Sequence, residues 1–352
     1  MSIKLSICIP TYNRAALIGK TLESIIAQAT DDTEIVVSDN ASTDDTAGVI
    51  KAFSAKFPRL VYIRQEVNQG ADANYMNVVA HATGEYCWLF GSDDVMKEGA
   101  IHTVLEALRD SPAVLLSNRL ECDLYLRPLR IRDWLSTPEK KRTFEFTTDE
   151  STAQYFKLVD TLGGVFSFLS SIVVKRDLWD AVPMDQQFMG TAYSHVYKII
   201  RMLLQGGKLV YIKDWTVYCR LDNDTTFSKD GYLRRVMIDI DGYHALAAVL
   251  LHDKPLATEA LFNILQRQQN HLPAMIRLVA AASLAGNWPD IKSRILRVGL
   301  DQDLINRAER IGGAWWYRPW FIGIEFLRTW KYLTRIKVAI RYMFTPRIDP
   351  SA

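Results

Sequence analysis

Two spacings of apolar residues alternate along the first hundred residues. Short, nearly unbroken apolar runs occur at Lys4–Pro10, Glu34–Ser38, Leu60–Arg64 and Tyr86–Phe90. Runs of this length, bounded by Pro, Gly or Asp, read as buried strands. Between them the apolar positions fall at helical spacing, through Leu17, Leu22, Ile25 and Ile26, then Val49, Ile50 and Phe53, then Met76, Val79 and Ala80. Ser42 with Asp45 three residues on reads as a capping box for the second helix, an Asp replacing the usual Glu. Strand–helix alternation predicts an α/β fold with a mainly parallel sheet. The polar stretches Thr11–Arg14, Asp39–Ser42, Asn68–Asn74 and Gly91–Asp94 each follow a strand, so they should gather on one sheet edge. That is the edge at which open α/β sheets bind ligands.

The pattern then loosens. Residues 118–150 are rich in charge without a clear period and read as an irregular segment over that edge, with Glu139–Arg142 a solvated turn. Gly163 to Ser171 precedes a strand at Ile172–Val174; its paired glycines suit either close approach of a ligand or a tight turn. Ser194–Gln205 is helical by pattern and closed by Gly206-Gly207, and Lys208–Ile212 reads as a strand. Helices follow at Tyr232–His252, Pro255–Gln268, Leu272–Ala285 and Ile291–Val298, and His244, His252 and His271 read as structural. The expected division is an α/β unit over 1–228 (in two halves, 1–117 and 118–228), a helical region over 229–310 and a basic tail over 311–352.

Composition changes the picture in two places. The chain of 352 residues has a net charge of only +2, yet residues 310–347 hold eight Lys/Arg against the single acid Glu325. Arg328, Lys331 and Arg335 form one basic face among Trp315, Trp316, Trp320, Phe326 and Trp330. Interleaved aromatic and basic residues over 314–345 predict a helix lying on an anionic membrane surface. So many bulky apolar residues argue against nucleic acid as the partner. The four cysteines, Cys8, Cys87, Cys122 and Cys219, lack metal-ligand spacing and read as buried thiols in a reducing compartment. An N-terminus that enters a strand directly, and the lack of a long uncharged apolar run, predict neither secretion nor a spanning helix.

The candidate chemistry sits at the strand ends. Asp93 and Asp94 leave the Tyr86–Phe90 strand as an acidic pair, suited to a hard divalent cation with a diphosphate or to a solvated turn. Neither a Gly-x-Gly-x-x-Gly turn nor a Walker lysine loop occurs in the first hundred residues.

Pro10-Thr11-Tyr12-Asn13-Arg14, Ser38-Asp39-Asn40-Ala41-Ser42-Thr43-Asp44, Asn68-Gln69-Gly70, Ala82-Thr83-Gly84-Glu85-Tyr86 and Ser92-Asp93-Asp94 resemble, in order and spacing, the family 2 glycosyltransferases. The resemblance is strong over 3–105 and traceable to about 228. Within the family it is most similar to abequosyltransferase-type enzymes of O-antigen assembly, through Asn68-x-Gly70-x-Asp72-x-Asn74 and Trp88-Leu89-Phe90-Gly91-Ser92-Asp93-Asp94. The resemblance implies a GT-A fold, a nucleotide-diphosphate sugar donor, Mn2+ or Mg2+, and inverting transfer of a sugar, such as a dideoxyhexose, to a lipid-linked glycan at the cytoplasmic membrane face. It implies a donor site of Pro10, Thr11, Tyr12, Arg14, Asp39, Asn40, Asn68, Gly70, Asp72, Asn74, Ser92 and Arg220, with Asp93, Asp94 and Asp222 at the metal. Gly91 stands where the family usually has its first Asp, and Tyr75 where many members have Arg. Counting back from Gly206, the family's general-base Asp falls on His195 and the Glu before it on Ser194. A histidine suits a base at neutral pH, so His195 is the expected base. These missing carboxylates leave two other readings, a nucleotide-sugar-binding module without transfer and a membrane-docked scaffold.

Overall fold

The computed structural model describes residues 3–221 and 231–323, apart from 315, 318 and 320. In chain order the strands and helices are β1 (Leu5–Thr11), α1 (Ala15–Ile26), β2 (Thr33–Asp39), α2 (Thr46–Ser54), β3 (Leu60–Arg64), α3 (Ala71–Ala80), β4 (Tyr86–Leu89), β5 (Val95–Met96), α4 (Ala100–Ala107), β6 (Val114–Cys122), β7 (Pro128–Arg132), β8 (Lys141–Glu145), α5 (Asp149–Leu158), β9 (Ile172–Lys175), α6 (Arg176–Ala181), α7 (Ser194–Leu204), β10 (Lys208–Arg220), α8 (Gly231–Leu250), α9 (Pro255–Gln269), α10 (Leu272–Leu284), α11 (Trp288–Arg297) and α12 (Gln302–Gly312).

One sheet runs through the molecule in the order β3-β2-β1-β4-β9-β6-β10-β5. Pairing is parallel among β1–β4 and between β6 and β10, while β9 runs antiparallel to both β4 and β6. This mixed but mostly parallel sheet explains the apolar strands, because both faces are covered. Leu5, Ile7 and Ile9 pack on one face with α1, α2 and α4; Cys8 and Val36 point to the other, with α3, α7 and the C-terminal helices. The register brings Thr11, Asp39 and Arg64 side by side at one edge. Because β9 is reversed, its start at Ile172, preceded by Ser170 and Ser171, reaches the same edge beside Leu89. The carboxyl ends of β6 and β10 arrive there too.

Three expectations change. Residues 118–150 are not irregular: they hold the end of β6 and the strands β7 and β8. Their charge reflects exposure, since β7 is exposed along most of its length and β8 alternates around a single buried residue, Phe144. The strand expected at Lys208–Ile212 continues to Arg220, with register shifts between Ile212 and Val217 against β6. α2 lacks the capping box, because Thr46 N–H donates instead to Asp44 Oδ1 at 3.1 Å while Ser42 Oγ accepts from Asn13 N–H at 2.8 Å.

The helices α8–α12 share one apolar core with α3, α5 and α7. α8 meets the residue preceding α7: Tyr193 O–H donates to Asp239 Oδ1 at 2.9 Å, and a Cβ at Gly242 would lie 2.5 Å from the Tyr193 ring. Gly242→Ala is therefore expected to destabilise the fold by about 2 kcal/mol, the usual range for overpacking. Urea denaturation followed by circular dichroism measures it.

Candidate active site

The loops after β1, β2 and β3 form one interlocked polar layer. Asn40 N–H donates to Thr11 O at 3.0 Å, and Asn74 Nδ2 donates to Ser38 O at 3.0 Å. Asn40 Nδ2 donates to Asn68 Oδ1 at 2.9 Å and Gly70 O at 3.1 Å, while Asn40 Oδ1 accepts from Gln69 N–H at 2.9 Å. Gly70 adopts φ 87°, open to glycine without strain, before α3 begins. Asp39 is fully buried; it accepts from Tyr62 O–H at 2.8 Å and Ser42 N–H at 2.9 Å. Asn40, Asn68 and Gly70 thus spend polar groups on one another, and the Asn74 side chain spends its own on Ser38, Gln65 and Thr11. Pro10 closes β1's exit, Tyr12 is 42% exposed, and buried Thr11 Oγ1 has no protein partner.

The acidic turn follows β4. Gly91 is bare for a steric reason: a Cβ there would lie 3.0 Å from Asp94 Oδ2, 3.1 Å from Asp93 Oδ1 and 3.2 Å from Ser170 Oγ. An aspartate at 91 would enter the space into which these oxygens converge. Ser170 Oγ donates to Asp94 Oδ2 at 2.6 Å and accepts from Gly91 N–H at 2.8 Å. Burial and the adjacent Asp93 push the Asp94 carboxyl up to about 7. Arg14 Nε lies 3.6 Å from Asp93 Oδ2, and Arg220 Nη1 donates to Asp93 O at 2.6 Å. Ser92 is buried, its carbonyl accepting from Thr21 Oγ1 at 3.1 Å. Asp222 lies outside the described residues. Among the described residues no group of three or more His, Cys, Asp and Glu is arranged as a metal cluster. The pair still fits a hard cation, for which one or two carboxylates plus substrate phosphates suffice.

His195 stands at the start of α7 and is buried. Its Nε2 lies 3.0 Å from Phe166 O. A carbonyl only accepts, so this contact assigns the proton to Nε2 and leaves the lone pair on Nδ1, which has no protein partner and is shut from solvent. Burial lowers the imidazole pKa, and the opposing pulls of Asp72 and Phe166 O do not restore it. Neutral imidazole is therefore the resting form at neutral pH.

Asp72 faces α7 rather than the open edge: its oxygens accept from Ser194 Oγ at 2.7 Å and Ala192 N–H at 3.0 Å. Two non-glycine residues in the left-handed region flank this arrangement, Phe166 (φ 60°) and Ala192 (φ 67°). Such strain persists where surrounding contacts over-determine it. Tyr75 meets His195 edge-on, ring centroids 5.8 Å apart. The paired glycines ahead of β9 serve packing, since a Cβ at Gly163 would lie 2.1 Å from the Trp134 ring. Residue patterns gave no signal for Ser170, Phe166 or Tyr62; Ser170 lay within a stretch singled out only for its small residues.

Comparison with known proteins matches this geometry to a family. The family model Glycosyl transferase family 2 matches residues 6–166. Abequosyltransferase RfbV of Salmonella typhimurium is 35% identical over 316 residues, covering 88% of this chain and 93% of that protein. The chain belongs to the family 2 glycosyltransferases. It is most like those of O-antigen assembly. A GalNAc(5)-diNAcBac-PP-undecaprenol beta-1,3-glucosyltransferase of Campylobacter jejuni is 35% identical over 118 residues, 33% of this chain and 38% of that protein. The crystal structure of S. aureus TarS 1-349 shares the GT-A-type fold, with a TM-score of 0.56 at 15% identity over 88% of this chain and 90% of that one.

A carboxyl held near 7 in the folded glycosyltransferase, against 3.8 for an ordinary Asp, binds its proton more tightly folded than unfolded. Stability from this group is fully present below about pH 4 and is lost as pH rises towards 7. Without divalent cation, Asp94→Asn should remove that loss, leaving the variant roughly 4 kcal/mol more stable than the parent above pH 7 and equal to it near pH 4. Urea melts across the pH range measure the difference.

Proposed function

We propose that this glycosyltransferase moves a sugar, a dideoxyhexose such as abequose, from a nucleoside-diphosphate donor to a lipid-linked O-antigen-type glycan, with inversion at the sugar carbon. The observation that carries the reading is the convergence of Asp93 and Asp94 over Gly91, with Arg14 and Arg220 on the same turn. The similarity to an abequosyltransferase supports the sugar, and a TarS structure in complex with UDP supports a nucleotide ligand. Thr11, Tyr12, Asp39 and the Asn40–Asn68–Asn74 layer would receive the nucleoside, with Asp39 acting from beneath through its remaining lone pairs. Asp93 and Asp94 would hold Mn2+ or Mg2+, which when bound stabilises negative charge on the departing diphosphate. Asp222 is the further oxygen ligand proposed from sequence.

In the transfer, an acceptor hydroxyl oxygen bonds to the sugar's C1 as the bond from C1 to the diphosphate oxygen breaks. The hydroxyl proton passes to His195 Nδ1, which the Phe166 contact leaves as the bare nitrogen. Arg14 and Arg220 stabilise the leaving group's charge. Membrane docking by 314–345 supplies the lipid-linked acceptor. Of that segment the described part ends at Gly323, where Trp316 and Ile322 are exposed, and Arg328, Lys331 and Arg335 lie outside the described residues. No helix among the described residues is long and apolar enough to cross a membrane. One observation favours a second reading, binding without transfer: Nδ1 is shut from solvent, so an acceptor must displace what covers it.

Turnover of nucleotide sugar with Mn2+ or Mg2+ and extracted lipid-linked glycan separates the two. Asp93→Ala should abolish both cation dependence and transfer. His195→Ala should lower kcat by about a hundredfold or more while donor affinity holds; lost donor affinity would mark His195 as structural. Donor binding with no product from the parent protein would establish the binding module.

A further inference from the structure

The hairpin of β6 and β7 carries a charged cluster that the transfer chemistry leaves unused. Antiparallel pairing sets Arg119 against Arg132 and Glu121 against Arg130, so all four side chains leave one face. Glu121 is buried and accepts from Arg119 Nη2 at 2.7 Å, Arg130 Nε at 2.6 Å and Arg132 Nε at 3.4 Å. Burial pushes its carboxyl up, but the hydrogen bonds from Arg130 and Arg119 prevail and hold it at about 2. It is charged at any physiological pH, and one carboxylate faces three guanidinium groups. Arg119 also acts on the Asp94 carboxyl of the acidic turn, which leaves Arg130 and Arg132 as the solvent-side charges of the cluster.

The cluster is rigid on one side and open on the other. The Arg119 guanidinium lies over Phe168 at 4.3 Å and Trp134 at 4.9 Å, and its buried Nε has no protein partner. Trp134 is fixed in turn by Nε1 donating to Ser117 O at 2.8 Å and Ser171 Oγ at 3.1 Å. Arg130 and Arg132 reach solvent, with side chains 60% and 28% exposed. Phe168 is two residues before Ser170, the partner of Asp94, so the arginines border the acidic turn. The nucleoside-side loops stand at β1–β3, and β4 and β9 separate them from β6. Leu129 and Ile131 alternate with Arg130 and Arg132 along β7 and leave the opposite face of the hairpin, so the arginine face itself is polar.

We propose that Arg119, Arg130 and Arg132, spread by Glu121, bind the phosphate or diphosphate ester of the acceptor lipid, on the far side of the acidic turn from the donor. This rests on the transfer reading above and adds where the acceptor's anion sits. Guanidinium groups present paired donors that match phosphate oxygens, and Arg130 and Arg132 offer theirs at the solvent side.

The test uses the full-length protein, with farnesyl diphosphate as probe for the acceptor's anion and CDP and UDP as probes for the donor's, all read as binding without turnover. Failure of transfer therefore leaves the result intact. Arg130→Gln with Arg132→Gln, both at the solvent side, should raise the farnesyl diphosphate Kd by about tenfold or more and leave both nucleotides within about twofold. The Lys pair at the same positions should recover only part of the loss, because an ammonium lacks the paired fork. Thermal melts confirm that each variant folds. Nucleotide affinity falling in step would assign the anion to the donor and overturn the proposal. So would farnesyl diphosphate binding that is absent from the parent or unchanged in the Gln pair.

Discussion

Two carboxylates forced together at the end of a buried strand set the terms for the rest of the edge. Asp93 and Asp94 direct oxygens to one point above Gly91. Like charges at that separation, with Asp94 out of water, are unfavourable unless one is protonated or a cation stands nearby. Each surrounding feature meets that demand. Gly91 gives up its side chain. Ser170 donates to Asp94, and it arrives there because β9 runs against β4. Arg220 reaches across from the end of β10 to hold the turn by the Asp93 carbonyl, and Arg14 lies beside the Asp93 carboxylate. The mixed sheet is thus tied to the chemistry: a wholly parallel one would carry the start of β9 to the opposite edge.

The second pole of the site shows a carboxylate moved between elements. Where relatives are expected to carry acids at the start of α7, this chain has Ser194 and His195, and Asp72 of α3 comes to the same helix start. The Asp72 carboxyl still borders His195, held by the Ser194 hydroxyl and the N–H of a strained Ala192. Its pull on the imidazole is smaller than the effect of burial. The result is a neutral ring held by a carbonyl at one nitrogen with the other bare, the form that a proton acceptor requires.

The strands β1 to β4 and the helices between them were legible in the sequence, though not their order in the sheet, because strands buried on both faces are almost wholly apolar and the loops between them are short and polar. The helices α7 to α10 were legible for the same reason, from one apolar stripe each. The stretch 118–150 was not. Its strands lie at an edge, so exposure replaces the period-two pattern with arginine and glutamate, and the pairing of Glu121 with three arginines appears only when β6 and β7 come together. The site was legible as to which loops meet, yet not as to which way side chains turn. Asn40, Asn68 and Asn74, expected at the donor site, also hold the loops to one another, a role their spacing did not announce. Asp72 points inward for a reason supplied by Ala192 and Ser194, far away in sequence.

The C-terminal helices bear on the site although they carry none of its polar groups. Tyr193 immediately precedes α7; its hydroxyl is held by Asp239, which Arg235 of α8 also engages at 2.8 Å. Tyr193 is buried and packed against the backbone at Gly242. The position of α7, and so of His195, is therefore set from both sides, by Asp72 of α3 and by α8. A shift of α8 would move the imidazole away from Phe166 O before it disturbed the acidic turn, which is held by α1, β4, β9 and β10. His195 and the acidic turn are supported by largely separate parts of the fold, so a lesion in the helical region should displace the imidazole while leaving the acidic turn formed.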